Sequence, residues 1–153
     1  MILERLKGAW DAYVWPLLHG PTRLQVAALC YRRDGKAKKI LLITSRDTGR
    51  WIIPKGWPID GLNDPEAAKQ EAWEEAGVSK GSMSDEAIGH YTYRKSLDDG
   101  LDIPVKTMVF PLIVEEMRDE FPEADQRERK WVSQGEAANM VNEPELQSIL
   151  RAL

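Results

Sequence analysis

Residues 56–78 read GWPIDGLNDPEAAKQEAWEEAGV, and the spacing within this stretch decides how the rest of the chain is understood. Asp64 as N-cap, Pro65 at the first helical position and Gly77 just past the end predict a helix between them. Within it Glu71, Glu74 and Glu75 stand at i, i+3 and i+4, so three carboxylates share one helix face. Like charges so placed disfavour a helix by roughly a few tenths of a kcal/mol per pair. Lys69 points elsewhere, and the preceding turn offers only Ala67 and Ala68, small residues expected to leave space above the helix. A cation belongs there. Oxygen ligands without a histidine or a cysteine pair favour a hard divalent ion, Mg2+ or Mn2+. The competing reading is an acidic helix face turned to solvent.

The flanks alternate irregularly between strand and helix patterns. Leu24 to Arg33 and Lys38 to Arg46 read as strands around a turn at Asp34-Gly35, and Trp51-Ile52-Ile53 as a short strand stopped by Pro54. Beyond the helix, Ile88 to Lys95 and Val105 to Glu115 read as strands joined through Asp98-Asp99-Gly100, and Arg127 to Val132 as another. Ser133 and Glu136 form a capping-box pattern ahead of Ala137 to Val141, and Pro144 to Leu153 closes the chain as an amphipathic stretch. At the other end, Ile2, Leu3, Leu6, Trp10, Tyr13 and Val14 mark residues 1–20 as a helical extension that docks on the domain or on a second subunit, so a homodimer is one assembly the sequence allows. A sheet covered by helices on both faces, over residues 21–153, is the economical architecture.

The chain has 153 residues, one domain's worth, with 42% hydrophobic and 30% charged residues and a net charge of −4. That average hides a strong segregation. Residues 23–55 hold nine bases against two acids, a net of +7, and residues 56–78 hold six acids against one base, a net of −5. No apolar run approaches the roughly 20 residues needed to cross a bilayer. Glu4, Arg5, Lys7 and Asp11 break up any signal-peptide core, and a single cysteine, Cys30, excludes an internal disulfide, so a cytoplasmic chain is expected. His19 and His90 show no metal-binding spacing, and Trp51 and Trp73 read as packing residues.

The 23-residue segment resembles the Nudix box, G-x5-E-x7-R-E-U-x-E-E-x-G-U, with U a bulky aliphatic residue. Gly56, Glu71, Glu74, Glu75, Gly77 and Val78 occupy its fixed positions; Leu62 and Gln70 stand where a Glu and an Arg are expected, and Ala72 is smaller than usual. Trp51 to Gly56 is similar to the strand leading into the box, and Arg129-Lys130-Trp131-Val132 to a late strand of the family. Ala27 to Arg32, Thr44-Ser45-Arg46, Arg50-Trp51 and Glu74 to Val78 look most like the diphosphoinositol-polyphosphate and diadenosine-polyphosphate phosphohydrolases.

The resemblance implies an α/β fold, the Nudix α/β/α sandwich with a mixed β-sheet, and metal-dependent hydrolysis of a P–O–P linkage in a polyphosphorylated small molecule. It implies Glu71 and Glu75 as the main metal ligands, Glu74 as a further ligand or general base, and the Gly56 carbonyl in the same shell. Glu123 and Glu128 are candidates for a base outside the box. An Arg at position 70 would brace the carboxylates, and Gln70 is a weaker brace. Arg23, Arg32, Arg46, Arg50, Lys55 and Lys106 match phosphate-binding positions, and Trp57 could line the site. The alternatives are removal of diphosphate from RNA 5′ ends and a weakly active ligand-binding module. No membrane and no stable nucleic-acid partner is expected.

Overall fold

The computed structural model describes residues 22–153; the expected N-terminal helix and His19 lie outside them. Eight strands form one mixed sheet: β1 (Arg23–Asp34), β2 (Ala37–Thr44), β3 (Trp51–Ile52), β4 (Lys55–Gly56), β5 (Val78–Met83), β6 (Gly89–Ser96), β7 (Asp102–Met117) and β8 (Arg129–Ser133). Three helices complete the described chain: α1 (Asp64–Ala76), α2 (Gln134–Met140) and α3 (Pro144–Ala152). Strands β1 and β7 run parallel from Arg23↔Val105 to Tyr31↔Ile113, and every other pairing is antiparallel.

The central strand β1 is apolar without interruption from Val26 to Tyr31 because both its faces are covered. Val26, Ala28 and Cys30 face α1, together with Leu41, Ile43, Phe110 and Leu112. Ala27, Leu29 and Tyr31 face the opposite layer, where Ala137, Ala138, Leu146 and Leu150 of α2 and α3 are buried. The period-two alternation of the strand thus divides one sheet between two helical layers, the expected α/β/α sandwich. Truncating a fully buried leucine such as Leu150 to alanine costs about 2–5 kcal/mol. No helix among the described residues is long and apolar enough to cross a membrane.

Two expectations about α1 change. Its N-cap is Asn63, not Asp64: the Asn63 side chain accepts from the Glu66 N–H, and the Glu66 carboxylate accepts from the Asn63 N–H. That reciprocal box satisfies two backbone donors, which Asp64 inside the first turn does not do. Ala67 and Ala68 leave no open space; with Ala72 and Ala76 they are fully buried and let α1 lie close against β1. At the other end Gly77 takes φ +74°, and its N–H closes on the Trp73 carbonyl. A side chain there would also meet the Arg118 carbonyl oxygen at 2.5 Å.

The sheet splits where the helix approaches it. Strands β1 and β2 pair only near their turn, from Tyr31↔Ile40 to Asp34↔Ala37. Farther on they separate, and the β3–Pro54–β4 segment fills the gap: Ile52 pairs with Ile43 of β2, and Gly56 pairs with Val26 of β1. Two-residue strands cannot fill such a gap to its end. A cleft opens beside them, under the C-terminal half of α1.

Candidate active site

The cleft has a volume of about 250 Å³ and two walls of opposite charge. Glu71 and Glu75 of α1 form one wall, with Gly56 at their foot; Arg46, Lys55 and Lys95 supply the other. Gln25, Trp57, Glu123 and Arg127 complete the lining. Lys55 and Gly56 reach it through the split in the sheet, and Lys95 through the end of β6.

Glu75 is 7% exposed, and its position is fixed from two sides. Its Oε1 accepts from the Lys55 backbone N–H at 3.2 Å, and its Oε2 lies 3.4 Å from an Arg127 guanidinium nitrogen. Glu71 lies one turn back, its carboxyl within hydrogen-bonding reach of Glu75. Desolvation first, then the charges of Glu75 and Glu74, push the Glu71 carboxyl up to about 8. Burial also raises Glu75, against the opposing pull of Arg127 and Lys55. Burial pushes the Lys55 ammonium down to about 8, and its Nζ rests 5.3 Å above the Tyr93 ring. The carboxyl pair is short of positive charge.

Glu74 stands apart from this pair. Its Oε1 accepts from the Gln70 amide at 3.1 Å, and its side chain does not line the cleft. Among the described residues no three histidine, cysteine, aspartate or glutamate side chains converge as a closed cage. Two carboxylates beside a backbone carbonyl nevertheless suit a hard cation, which keeps several waters and completes its shell with substrate phosphates.

Of the six basic residues singled out by sequence, Arg46 and Lys55 line the cleft. Arg50 lines an adjoining hollow of about 160 Å³ with Tyr93, Arg94 and Lys95, and donates to the buried Glu143 at 2.8 Å. The Arg32 guanidinium lies 4.3 Å over the Trp131 ring, away from the cleft. Arg23 opens β1 as an exposed residue, and Lys106 sits on β7 opposite Leu24 and Thr92; neither lines the cleft. Glu128 is exposed and holds Thr44 through its backbone, and the expected strand from Arg127 begins at Arg129. His90 lies on β6, half exposed beside Glu145.

Three cleft residues gave no sequence signal: Gln25, Lys95 and Arg127. The first two stand on strands remote from the helix in sequence. Arg127 lies in an irregular segment between Met117 and Arg129, where no periodicity marks it. Only the acidic run around it, Glu120, Glu123, Asp125 and Glu128, set that stretch apart.

A NUDIX domain family model matches residues 21–153. The chain is 33% identical over 129 residues to Nudix hydrolase 21, chloroplastic, of Arabidopsis thaliana, covering 80% of this chain and 60% of that protein. It is 31% identical over 110 residues to diphosphoinositol polyphosphate phosphohydrolase 3-alpha of Mus musculus, covering 70% and 62%. The chain thus spans less than two thirds of the length of these relatives. The Ap4A hydrolase of C. elegans shares the fold at a TM-score of 0.60 and 22% identity, covering 86% of this chain and 95% of that one. The matched span holds the split sheet, α1 and the paired carboxylates, and the chain belongs to the Nudix family.

Proposed function

We propose that this cleft hydrolyses a phosphoric anhydride in a polyphosphorylated small molecule with the help of Mg2+, for which Mn2+ can substitute. One observation carries the reading: the charge-poor pair Glu71 and Glu75 faces Arg46, Lys55 and Lys95 across a single opening. Cleaving P–O–P requires negative charge to be neutralised on the phosphoryl oxygens and a water to be aimed at phosphorus, with little covalent chemistry from the protein. A cleft with a cation-seeking wall and a phosphate-seeking wall meets both needs.

Glu71 and Glu75 would hold the cation with the Gly56 carbonyl, and Glu74 adds a third negative charge at the edge of the site. When bound, the ion would screen phosphoryl charge and make water a stronger nucleophile. Arg46, Lys55 and Lys95 bind the oxygens of neighbouring phosphates, Arg46 by a planar fork and the lysines as point charges. Glu123 is the proton acceptor. Its Oε1 takes the bonds from Arg127 and the 3.4 Å contact with Arg46, which leaves Oε2 for the attacking water. Trp57, 37% exposed on the lining, limits how deep the remainder of the substrate can settle.

Diphosphoinositol polyphosphates and diadenosine polyphosphates are the substrates favoured. Three cations in the cleft and two more, Arg50 and Arg94, in the adjoining hollow suit several phosphates in succession. Similarity to the mouse diphosphoinositol polyphosphate phosphohydrolase points the same way. A phosphate-release screen with Mg2+ over diphosphoinositol phosphates, diadenosine polyphosphates, nucleotide sugars and 5′-triphosphate RNA tests this. Release from one of the first two supports the reading. Preference for the RNA would make the enzyme a 5′-end hydrolase, and no release with metal bound would make the domain a binding module.

A further inference from the structure

We propose that Arg127 is the positioning residue of this site, holding the metal-binding carboxylate Glu75 and the proton acceptor Glu123 in register from a segment outside the helix. This rests on the reading of the cleft as a metal-dependent hydrolase. The Arg127 side chain is 6% exposed, and its guanidinium uses all three nitrogens. The two nitrogens Nε and Nη2 donate to Glu123 Oε1 at 3.1 and 3.0 Å, and Nη1 donates to the Thr44 carbonyl at 2.9 Å. From the same Nη2, Glu75 Oε2 is 3.4 Å away. One planar group therefore joins the end of β2, the segment between β7 and β8, and the third turn of α1.

A buried charge so bonded needs its partners: removing one from a buried pair strands the other. The backbone around Arg127 reinforces the fixture. Glu123 N–H donates to the Glu74 carbonyl at 3.0 Å, and Thr44 and Glu128 exchange bonds of 3.1 and 2.8 Å. Residues 123–128 are thus clamped onto both α1 and β2, with the guanidinium in the middle. Gln70 on α1 cannot share the task, because its amide is committed to Glu74. The carboxylate pair is braced from across the cleft.

Two residues with acid functions, Glu75 and Glu123, come from elements nearly fifty positions apart in the chain. Nothing in either element fixes their mutual distance. Arg127 does, and a lysine there keeps the charge while losing the fork. Partners that orient metal ligands typically change metal affinity or activity by about 10–100-fold when replaced.

The test uses Arg127→Lys and Gln70→Ala in the full chain, with Mn2+ affinity followed by electron paramagnetic resonance and kcat and KM measured on the best substrate. Arg127→Lys should weaken Mn2+ by about tenfold or more and lower kcat similarly, with KM within about threefold. Gln70→Ala should cost clearly less in both. Arg127→Lys matching wild type, or Gln70→Ala costing more, would overturn the proposal while leaving the hydrolase reading intact. Wild-type protein that neither binds Mn2+ nor releases phosphate would overturn that reading and the proposal with it. A second measurement needs no variant: the Arg127 Nε–H resonance of wild-type protein should shift when Mg2+ is added. A Lys55 amide that shifts while Arg127 does not would also overturn the proposal.

Discussion

A Cβ placed on Gly56 would lie 2.3 Å from the carboxyl carbon of Glu71. No side chain other than hydrogen fits, so the backbone of β4 serves as the floor on which one metal-binding carboxylate rests. The glycine is needed for this close approach and not for its dihedral angles, since its φ is not positive.

Gly56→Ala should therefore drive Glu71 out of position while leaving the sheet paired. The expected loss in Mg2+ or Mn2+ affinity is about tenfold or more, the scale for misplacing a ligand's support. Isothermal titration alongside a thermal melt separates the effects: affinity falls and the melt changes little. Unchanged affinity would remove Gly56 and Glu71 from the metal site.

The raised carboxyl of Glu71 makes metal-free stability depend on pH with a definite sign. An unfolded glutamate ionises from about pH 4.5, whereas folded Glu71 holds its proton up to about 8. The contribution is fully present below 4.5 and is lost as pH rises through 8. Glu75, also raised, adds the same sign. Metal-free protein should melt at a lower temperature at about pH 8 than at about pH 5, and saturating Mg2+ should reverse most of the loss, because it favours the ionised pair. Melts in EDTA that rise across that interval would contradict the assignment.

The basic residues should divide by place, not by charge. Lys95→Ala and Arg46→Ala are expected to raise KM about tenfold with smaller effects on kcat, the pattern for contacts made to ground state and transition state alike. Arg32→Ala and Arg23→Ala, away from the cleft, should stay within about twofold. Steady-state kinetics on one polyphosphorylated substrate decide the matter; equal effects from all four would mean a binding surface wider than the cleft.

Most of the fold was legible because its elements are patterned locally. Alternation and turn residues gave β1, β2, β6 and β7, and Ser133 caps α2 as its spacing implied. Strand β5 was not, since Ser79, Lys80, Gly81 and Ser82 carry no apolar alternation and owe their strand to pairing with β7. The site divides in the same way. Glu71 and Glu75 declare themselves by helical spacing, whereas the separation of Glu74 follows from a bond to Gln70 that spacing does not foretell. Lys95 and Arg127 belong to the cleft only through the sheet register and the chain path after β7, which are tertiary facts.

The most direct test pairs wild type with Glu75→Gln and follows phosphate release from a diphosphoinositol or diadenosine polyphosphate, with Mg2+ and with EDTA. Glu75→Gln keeps the shape of the side chain and its bond to the Lys55 N–H while removing the charge that a cation requires. The account predicts Mg2+-dependent release by wild type, and a rate at least about a hundredfold lower in the variant at comparable thermal stability. Release that survives both EDTA and the substitution would contradict it.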